Sequence, residues 1–581
     1  MPLHARFPRR RFIQKMFLGG AAASLVTLPL RAAADGPDRG LSDDERQSLL
    51  ASGHRFKVSF EHGVASGDPL ARKVVLWTRV SSERGGNVPV LWEMALDAQF
   101  RRPVRFGIAM TGSAQDHTVK VDVGGLRPDT VYYYRFMVGR AVSPVGRTRT
   151  LPLGSVAKVK LAVFTCSNFP AGYFHAYREA AKRDDLHAAV HLGDYIYEYG
   201  RGQYASGDAA ALGREVEPAH ECLTLADYRQ RYAQYRGDAN LQAVHAALPF
   251  IHVWDDHEIA NDTWKEGAEN HDPATEGEFT QRRAAALQAF HEWLPIRAPD
   301  PRRPQQISRS FVFGDLLALH MLDTRVIARD RQLEYANYFG SDGTFDSVRF
   351  AADLADPSRQ LLGGEQLLWL QQQLAASNAT WQVLGQQVLI GRMNIPAPLV
   401  LGQISFSNYV ALLTKAQTKP GELTASERAI LAQPAIPYNL DAWDGYAMAR
   451  ETLFAMSRAL DKNLVVLAGD THNAWASDLQ DYLGNKVGVE FAVASVSSPG
   501  LEEYFPSENP AVVAAGLETL IGPLVYANTG DRGYMVVTAT RSECRCDWHY
   551  VSTVKHEDYT LLPGKSLRTL PGAANRRLVS V

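Results

Sequence analysis

The sequence predicts an α/β protein preceded by a smaller β-sandwich, and three observations carry that prediction. Four runs in the central half of the chain are short, almost continuously apolar and rich in β-formers: Val159 to Cys166, Ala188 to Asp194, Phe250 to Asp255 and Leu464 to Asp470. Such runs suit strands buried on both faces. From Leu151-Pro152-Leu153-Gly154 onward, strand runs alternate with longer helical stretches, the pattern of an α/β architecture. Between Phe60 and Arg149 only brief strand signals occur, punctuated by Gly and Pro, as in an antiparallel sandwich.

The chain opens with Pro8-Arg9-Arg10-Arg11-Phe12-Ile13-Gln14-Lys15, a weakly apolar Gly/Ala-rich stretch from Met16 to Leu30, and Arg31-Ala32-Ala33-Ala34-Asp35. A charged start, a short apolar centre and a small-residue cleavage site describe a signal peptide. The paired arginines address it to the twin-arginine export machinery, although Pro8 stands where Ser or Thr is usual and Gln14 where Lys is. Residues 1–34 are therefore expected to be a twin-arginine signal peptide and residues 35–56 a linker, with the mature chain periplasmic or secreted. The apolar run falls short of the roughly 20 residues needed to span a bilayer and contains Pro29. No later stretch reaches that length, so no transmembrane anchor is expected.

Residues 57–152 are expected to form the sandwich. Val74 to Arg79, Val90 to Ala95, Phe106 to Ala109 and Val119 to Val123 read as strands. Gly125-Leu126-Arg127-Pro128-Asp129-Thr130-Val131-Tyr132-Tyr133-Tyr134-Arg135-Phe136 looks like the strand pair that bears a tyrosine corner in immunoglobulin-like and fibronectin III-like sandwiches. Residues 153–581 are expected to form the α/β domain. Its helices are read at Tyr173 to Lys182, Arg282 to Trp293 and Glu365 to Ala376, and two further strands at Leu316 to Leu322 and Trp381 to Ile390. Pro396 to Pro437 is weakly patterned and is expected to be a lid or insertion.

With 581 residues, 46% of them hydrophobic, the chain exceeds a single domain of about 100–200 residues. Its 61 basic and 63 acidic residues leave a net charge of -2, which excludes a general nucleic-acid or anionic-membrane surface. Four cysteines are too sparse for a disulfide scaffold. Cys544 and Cys546 flank one residue of a strand, so both point to one face and would strain a bridge between them; they and Cys222 are read as buried thiols.

Cys166 differs because of where it sits. Each of the four apolar runs breaks off into metal-ligand residue types: Cys166, Asp194, Asp255-Asp256-His257, and Asp470 with His472. In open α/β sheets ligands gather beyond the carboxyl ends of the strands, so this order reads as a metal-dependent hydrolase. Gly193 allows a tight turn that aims Asp194 off its strand, where the carboxylate can bridge two cations. Tyr197 lies one helical turn further on. Thiolate and phenolate donors together favour ferric iron, with zinc as an alternative. Asp470, Asn261 and the Asp255-Asp256 pair are oxygen donors suited to calcium, magnesium or manganese.

Taken singly, these residues have plainer explanations: packing for a strand-end cysteine, an aromatic core for Tyr197, a solvated turn for Asp255-Asp256-His257-Glu258. Their order along consecutive strands favours ligation. His252, His291 and His320 sit in apolar patterns and are read as structural or satisfied by hydrogen bonds. Trp443 and Tyr446 are read as local packing and Arg450 as an ion-pair partner.

Several motifs in sequence order resemble the alkaline phosphatase D family: Phe60-Glu61-His62-Gly63-Val64-Ala65-Ser66-Gly67-Asp68-Pro69, Cys166-Ser167-Asn168, Gly193-Asp194-Tyr195-Ile196-Tyr197, Trp254-Asp255-Asp256-His257-Glu258, Asp441-Ala442-Trp443-Asp444-Gly445-Tyr446, Gly469-Asp470-Thr471-His472-Asn473 and Val489-Glu490-Phe491. The resemblance runs from about residue 57 to Val551. It implies an immunoglobulin-like domain followed by a layered metallophosphoesterase domain holding iron and calcium. By position, Cys166, Asp194, Tyr197 and His472 would hold ferric iron, and Asp194 would bridge to calcium completed by Asn261 and Asp470. The role of Asn261 could instead fall to Asp255 or Asp256. The pattern is also similar to purple acid phosphatases, with Cys166 where those enzymes place an aspartate. Arg532 stands where related enzymes often have His before Gly-Tyr.

Two cations about 3.5–4 Å apart would let a metal-bound hydroxide attack phosphorus in line, with no protein nucleophile. His257 would assist the leaving group or orient an aspartate such as Asp256, and Asn168 would hydrogen-bond the phosphate. The expected function is an exported phosphoesterase that cleaves phosphate mono- or diesters and releases inorganic phosphate. Its partners would be small-molecule phosphate esters, phospholipids or extracellular organic phosphate polymers. The alternatives are a phospholipase D-like diesterase and a non-catalytic adhesion protein.

Overall fold

Alternation along each apolar run decides where its two faces go. In Leu464–Ala468, Val465 and Leu467 join one hydrophobic core while Leu464, Val466 and Ala468 join another. The first core is shared with Val159, Leu161, Val163 and Val537 of a second sheet; the other is closed by Leu370 and Leu374 of the helix Gly363–Ala376 and by Leu453 and Phe454 of the helix Ala447–Ala459. These contacts belong to a computed structural model that describes residues 57–82, 86–297, 300 and 302–581. The expected signal peptide and linker lie outside the described residues.

The four runs are strands, but they divide between two mixed sheets. Lys158–Phe164, Ala188–His191 and Pro249–His252 are parallel neighbours in the larger sheet. Leu464–Ala468 lies in the smaller one, parallel to Trp381–Gly385 and Lys486–Ala492. Strand pairing depends on partners distant in sequence, which periodicity does not encode. Two tryptophans tie the sheets together: Trp381 Nε1 donates to the Thr540 carbonyl at 2.7 Å and Trp548 Nε1 to the Ala492 carbonyl at 3.0 Å.

The segment expected as a separate sandwich shares a sheet with the ligand-bearing strands. Val64–Gly67 pairs parallel with Pro249–His252, and Val74–Arg79 and Thr118–Val123 continue the same sheet. Val64, Val74, Leu76 and Val119 pack against Val88, Val90, Tyr134 and Phe136 of a smaller antiparallel sheet. Tyr132 Oη accepts from the Arg127 amide at 2.8 Å, the bond expected of its strand-start position.

Helices occupy His175–Ala181, Phe279–Trp293 and Gly363–Ala376, close to their expected ranges. The strand expected to reach Ile390 stops at Gly385, because Gln387 leaves the sheet and donates through Nε2 to the Trp254 and Leu322 carbonyls. Residues 394–437 form an ordered insertion. Asn394–Pro396 pairs antiparallel with Ala435–Pro437 around the helices Phe406–Thr418 and Ala425–Leu431. The helix Ala425–Leu431 starts at a capping box made by Thr424 and Glu427. No helix among the described residues is long and apolar enough to cross a membrane.

Candidate metal centre

Cys166, Asp194, Asp470 and His472 all have left-handed backbones, with φ of 56°, 55°, 65° and 63°. Non-glycine residues seldom adopt this region, and its cost is tolerated where surrounding structure over-determines it. Here it turns each side chain off the end of its strand toward a common point. Glu258 is one restraint. Its carboxylate accepts from the Asp194 amide at 3.0 Å, the Asp255 amide at 2.6 Å and the Tyr195 amide at 2.6 Å, tying two strand-end loops together. Gly193 is another, since a Cβ there would lie 2.4 Å from Asp255 Cβ.

Cys166 Sγ, Asp194 Oδ2, Tyr197 Oη and His472 Nε2 converge. Sγ lies 3.3 Å from Asp194 Oδ2, and Tyr197 Oη lies 3.1 Å from Asp194 Oδ2 and 3.0 Å from His472 Nε2. His472 Nδ1 donates to the Pro499 carbonyl at 2.6 Å, which leaves Nε2 as the acceptor facing the group. Burial pushes the His472 pKa down to about 3, so the ring is neutral, as a ligand must be.

A second group of donors adjoins the first. Ligand atoms of Asp255, Asp256 and Asp470 lie within 4.8 Å of one another, as do those of Asp194, Asp256 and His257. Asp194 Oδ1, Asp255 Oδ2 and Asp256 Oδ1 are buried and have no hydrogen-bond partner. Such atoms are costly unless something positive meets them. Part of the charge is met by Arg325, fully buried, whose guanidinium pairs with Asp255, Asp441 at 2.8 Å and Asp470 at 2.8 Å.

Burial, with Asp194 second, raises the Cys166 thiol well above its usual pKa, and burial likewise raises the Tyr197 phenol and the Asp194 and Asp470 carboxyls. Asp255 is pushed up to about 7, chiefly by burial. Burial also opposes the charged forms of Asp256 and His257, but Arg325 and His257 hold the Asp256 carboxyl below its usual value, and Asp256, Glu198 and Asp194 keep the imidazolium charged. A bound cation would reverse the burial penalty on the thiol, phenol and carboxyls. Unpartnered carboxylate oxygens beside a thiol, phenol and neutral imidazole fit a two-metal centre. The S/N/O set fits ferric iron or zinc, and the all-carboxylate set fits calcium, magnesium or manganese.

Of the expected residues, Cys166, Asp194, Tyr197, Asp470, His472, Asp256 and His257 come together. Asn261 Nδ2 donates to Glu269 Oε2 at 2.7 Å and its backbone amide to Glu198 Oε1 at 2.7 Å, so neither bond uses Oδ1, the atom a cation would take. Asn168 is buried with both amide atoms unpartnered. His257 Nδ1 donates to Glu198 Oε2 at 2.8 Å, directing Nε2 to the aspartates. Arg325, Asp441, Glu198 and Glu258 were not singled out as site residues, although Asp441 and Glu258 fall within the motifs. His320 is satisfied by Ser310 and Gln382, whereas neither ring nitrogen of His252 or His291 has a hydrogen-bond partner, which leaves these two the structural role. Those rings pack edge or face on Trp254 and Phe250, so packing holds them instead. Cys222, Cys544 and Cys546 are buried free thiols, and Arg450 pairs with Asp444, as expected. A cleft of about 310 Å³ is lined in part by Ser497, Glu502, Arg532, Lys555 and Pro499, the residue whose carbonyl binds His472.

Two family profiles match the chain: "PhoD-like phosphatase" over residues 161–548 and "PhoD-like phosphatase, N-terminal domain" over residues 47–152. Alkaline phosphatase D of Bacillus subtilis (strain 168) is 36% identical over 529 residues, which cover 88% of this chain and 79% of that protein. A solved structure described as "Structure of PhoD" matches with a TM-score of 0.72 and 34% identity, covering 90% of this chain and 92% of that one.

Proposed function

This chain belongs to the PhoD-like phosphatase family and is a phosphoric ester hydrolase; from that premise we propose that it is an exported, metal-dependent phosphoesterase with ferric iron beside calcium. The observation that carries the reading is Asp194, whose Oδ2 faces Cys166 and Tyr197 while its Oδ1 is buried and unpartnered beside the other aspartates. In this reading Cys166, Asp194, Tyr197 and His472 would hold the iron. Asp194 and Asp470 would hold the calcium together with Asn261, or with Asp255 or Asp256 in its place.

When bound, the cations supply positive charge against the phosphoryl oxygens and acidify a water so that it attacks near neutral pH. The charged imidazole of His257, held by Glu198, gives its Nε2 proton to the departing ester oxygen. Asp256 keeps that ring charged and aimed. Asn168 offers its uncommitted Nδ2–H to a phosphoryl oxygen. The water oxygen ends on phosphorus, the ester P–O bond breaks, and the alcohol departs with the proton from His257.

The export reading rests on the paired arginines at the chain's start. A layered metallophosphoesterase core is supported by two mixed sheets that share a core, and an immunoglobulin-like residue range 57–152 by the Tyr132–Arg127 bond.

Elemental analysis of the purified chain, with hydrolysis of p-nitrophenyl phosphate and bis(p-nitrophenyl) phosphate before and after chelation, tests the proposal. Iron and calcium are expected, with activity lost on chelation and restored by the ions. Full activity in metal-free protein sinks it. Faster cleavage of the diester would favour the phospholipase D-like reading.

A further inference from the structure

The loop that follows the strand Lys486–Ala492 binds three of the four residues in the sulfur, nitrogen and oxygen donor group. The Ser495 amide donates to the His472 carbonyl at 3.0 Å, and the Ser497 and Ser498 amides both reach the Cys166 carbonyl at 3.4 Å. The Pro499 carbonyl accepts from His472 Nδ1 at 2.6 Å. The third residue, Tyr197, is met by a side chain: Ser498 Oγ lies 2.7 Å from Tyr197 Oη.

The three serines of this loop are buried, and each commits its hydroxyl proton. Ser495 donates to the Ser498 carbonyl and Ser497 to the Asn168 carbonyl, the acceptors a buried hydroxyl usually finds. Ser498 donates instead to an atom that faces the donor group. The direction of that bond is set by the neighbours. Tyr197 gives its own proton to Asp194 Oδ2 at 3.1 Å, so toward Ser498 the phenol oxygen can only accept. If the phenol loses that proton to become a ligand, the Ser498 hydroxyl still donates, now to an anionic oxygen, and such bonds are the stronger kind. The side of Oη toward Asp194 Oδ2 and His472 Nε2, at 3.1 and 3.0 Å, stays open to an ion.

We propose that Ser498 is a positioning residue for Tyr197: its hydroxyl proton takes one lone pair of the phenol oxygen, turns the other toward the Cys166, Asp194 and His472 donor atoms, and draws negative charge out of the phenolate. A hydrogen bond to a ligand atom lowers the charge that atom donates, so the ion keeps more of its positive charge for the phosphoryl oxygens. Ser498 acts on phosphate only through Tyr197. The inference rests on the iron reading above, and the wild-type spectrum separates the two.

Absorption spectra and iron reduction potentials are measured on the purified, iron-containing chain and its variants. Wild type is expected to show a phenolate-to-iron charge-transfer band that Tyr197→Phe abolishes. Ser498→Ala is expected to keep iron but to move that band to longer wavelength and to lower the reduction potential, because an unbonded phenolate donates more charge. Ser498→Thr, which keeps the hydroxyl, is expected to restore both values; loss of packing alone would leave them where they were. A band and potential in Ser498→Ala that stay unchanged, or move the other way, overturn the inference and leave the iron reading intact. Wild type without iron, or with iron but no band that depends on Tyr197, overturns both. If Ser498→Ala does not fold, Ser498→Thr and Ser498→Val decide, since they share a shape and differ in the hydroxyl: wild-type values in the first with a longer-wavelength band in the second support the inference, and any other pattern overturns it.

Discussion

Tyr197 and His472 approach to 3.0 Å between Oη and Nε2, although they lie 275 residues apart and each also faces a strand-end donor. Their meeting point is where Cys166 Sγ and Asp194 Oδ2 arrive from the larger sheet. Replacing Tyr197 by Phe removes one anionic oxygen and leaves the ring's packing on His257, 4.2 Å between centroids, in place. Iron content is expected to fall at least tenfold in Tyr197→Phe, with little change in melting temperature. Unchanged iron content would exclude Tyr197 as a ligand.

Cys166→Ser removes the soft donor and keeps a small polar group at a left-handed position. Iron or zinc should be held more weakly, while the aspartate group should still bind calcium or manganese. Elemental analysis of both classes of ion on one preparation gives the result directly. If the variant retains iron and full activity, thiolate ligation is wrong.

Asn261 and Asp256 are alternative completions of the calcium site. Asn261 Nδ2 donates to Glu269 and leaves Oδ1 as the atom a cation would take, so Asn261→Ala should weaken calcium by at least tenfold, about 1.4 kcal/mol. If Asp256 completes the site instead, Asp256→Asn gives that loss and Asn261→Ala changes affinity by less than about threefold, a difference below 1 kcal/mol. Calorimetric titration of stripped protein with calcium distinguishes the two.

These contrasts show what was legible in the amino-acid order. Cys166, Asp194, Asp255 and Asp470 could be read because each follows a buried strand within two or three residues, and a polar residue there has few reasons to exist other than to point off the sheet edge. Arg325 could not be read in this way. It follows an equally apolar strand, but its partners lie 70, 116 and 145 residues away, and nothing local separates it from an exposed arginine. Glu258 stood in the motif, yet its bond to the Asp194 amide spans 64 residues. The α/β class was visible from periodicity. That Val64–Gly67 would pair with Pro249–His252 was not, since β-pairing partners are chosen by tertiary packing.

His257 gives a kinetic prediction. Its Nδ1 is held by Glu198, so a proton donor acting at the ester oxygen would matter most for poor leaving groups. His257→Gln should slow alkyl phosphates by about 10²–10⁴-fold and p-nitrophenyl phosphate far less, because nitrophenolate departs without a proton. Equal losses for both substrates would assign His257 to orienting Asp256.

Glu490 provides a test of pH dependence away from the candidate ligands. It is fully buried, accepts from the Ile390 amide at 2.7 Å and the Gly391 amide at 3.0 Å, and burial raises its pKa from 4.5 to about 7. A carboxyl with a raised folded pKa binds its proton more tightly when folded. Its stabilising contribution is therefore complete below the unfolded value, near pH 4.5, and is lost as pH climbs through about 7. The shift corresponds to about 3 kcal/mol between pH 4 and pH 8. Glu490→Gln cannot titrate, so wild type should lose more stability than the variant between these pH values, by up to that amount. Denaturant unfolding of metal-free protein at both pH values measures the difference. A gap that stays constant between pH 4 and pH 8 would mean that the two backbone N–H donors keep Glu490 ionised throughout.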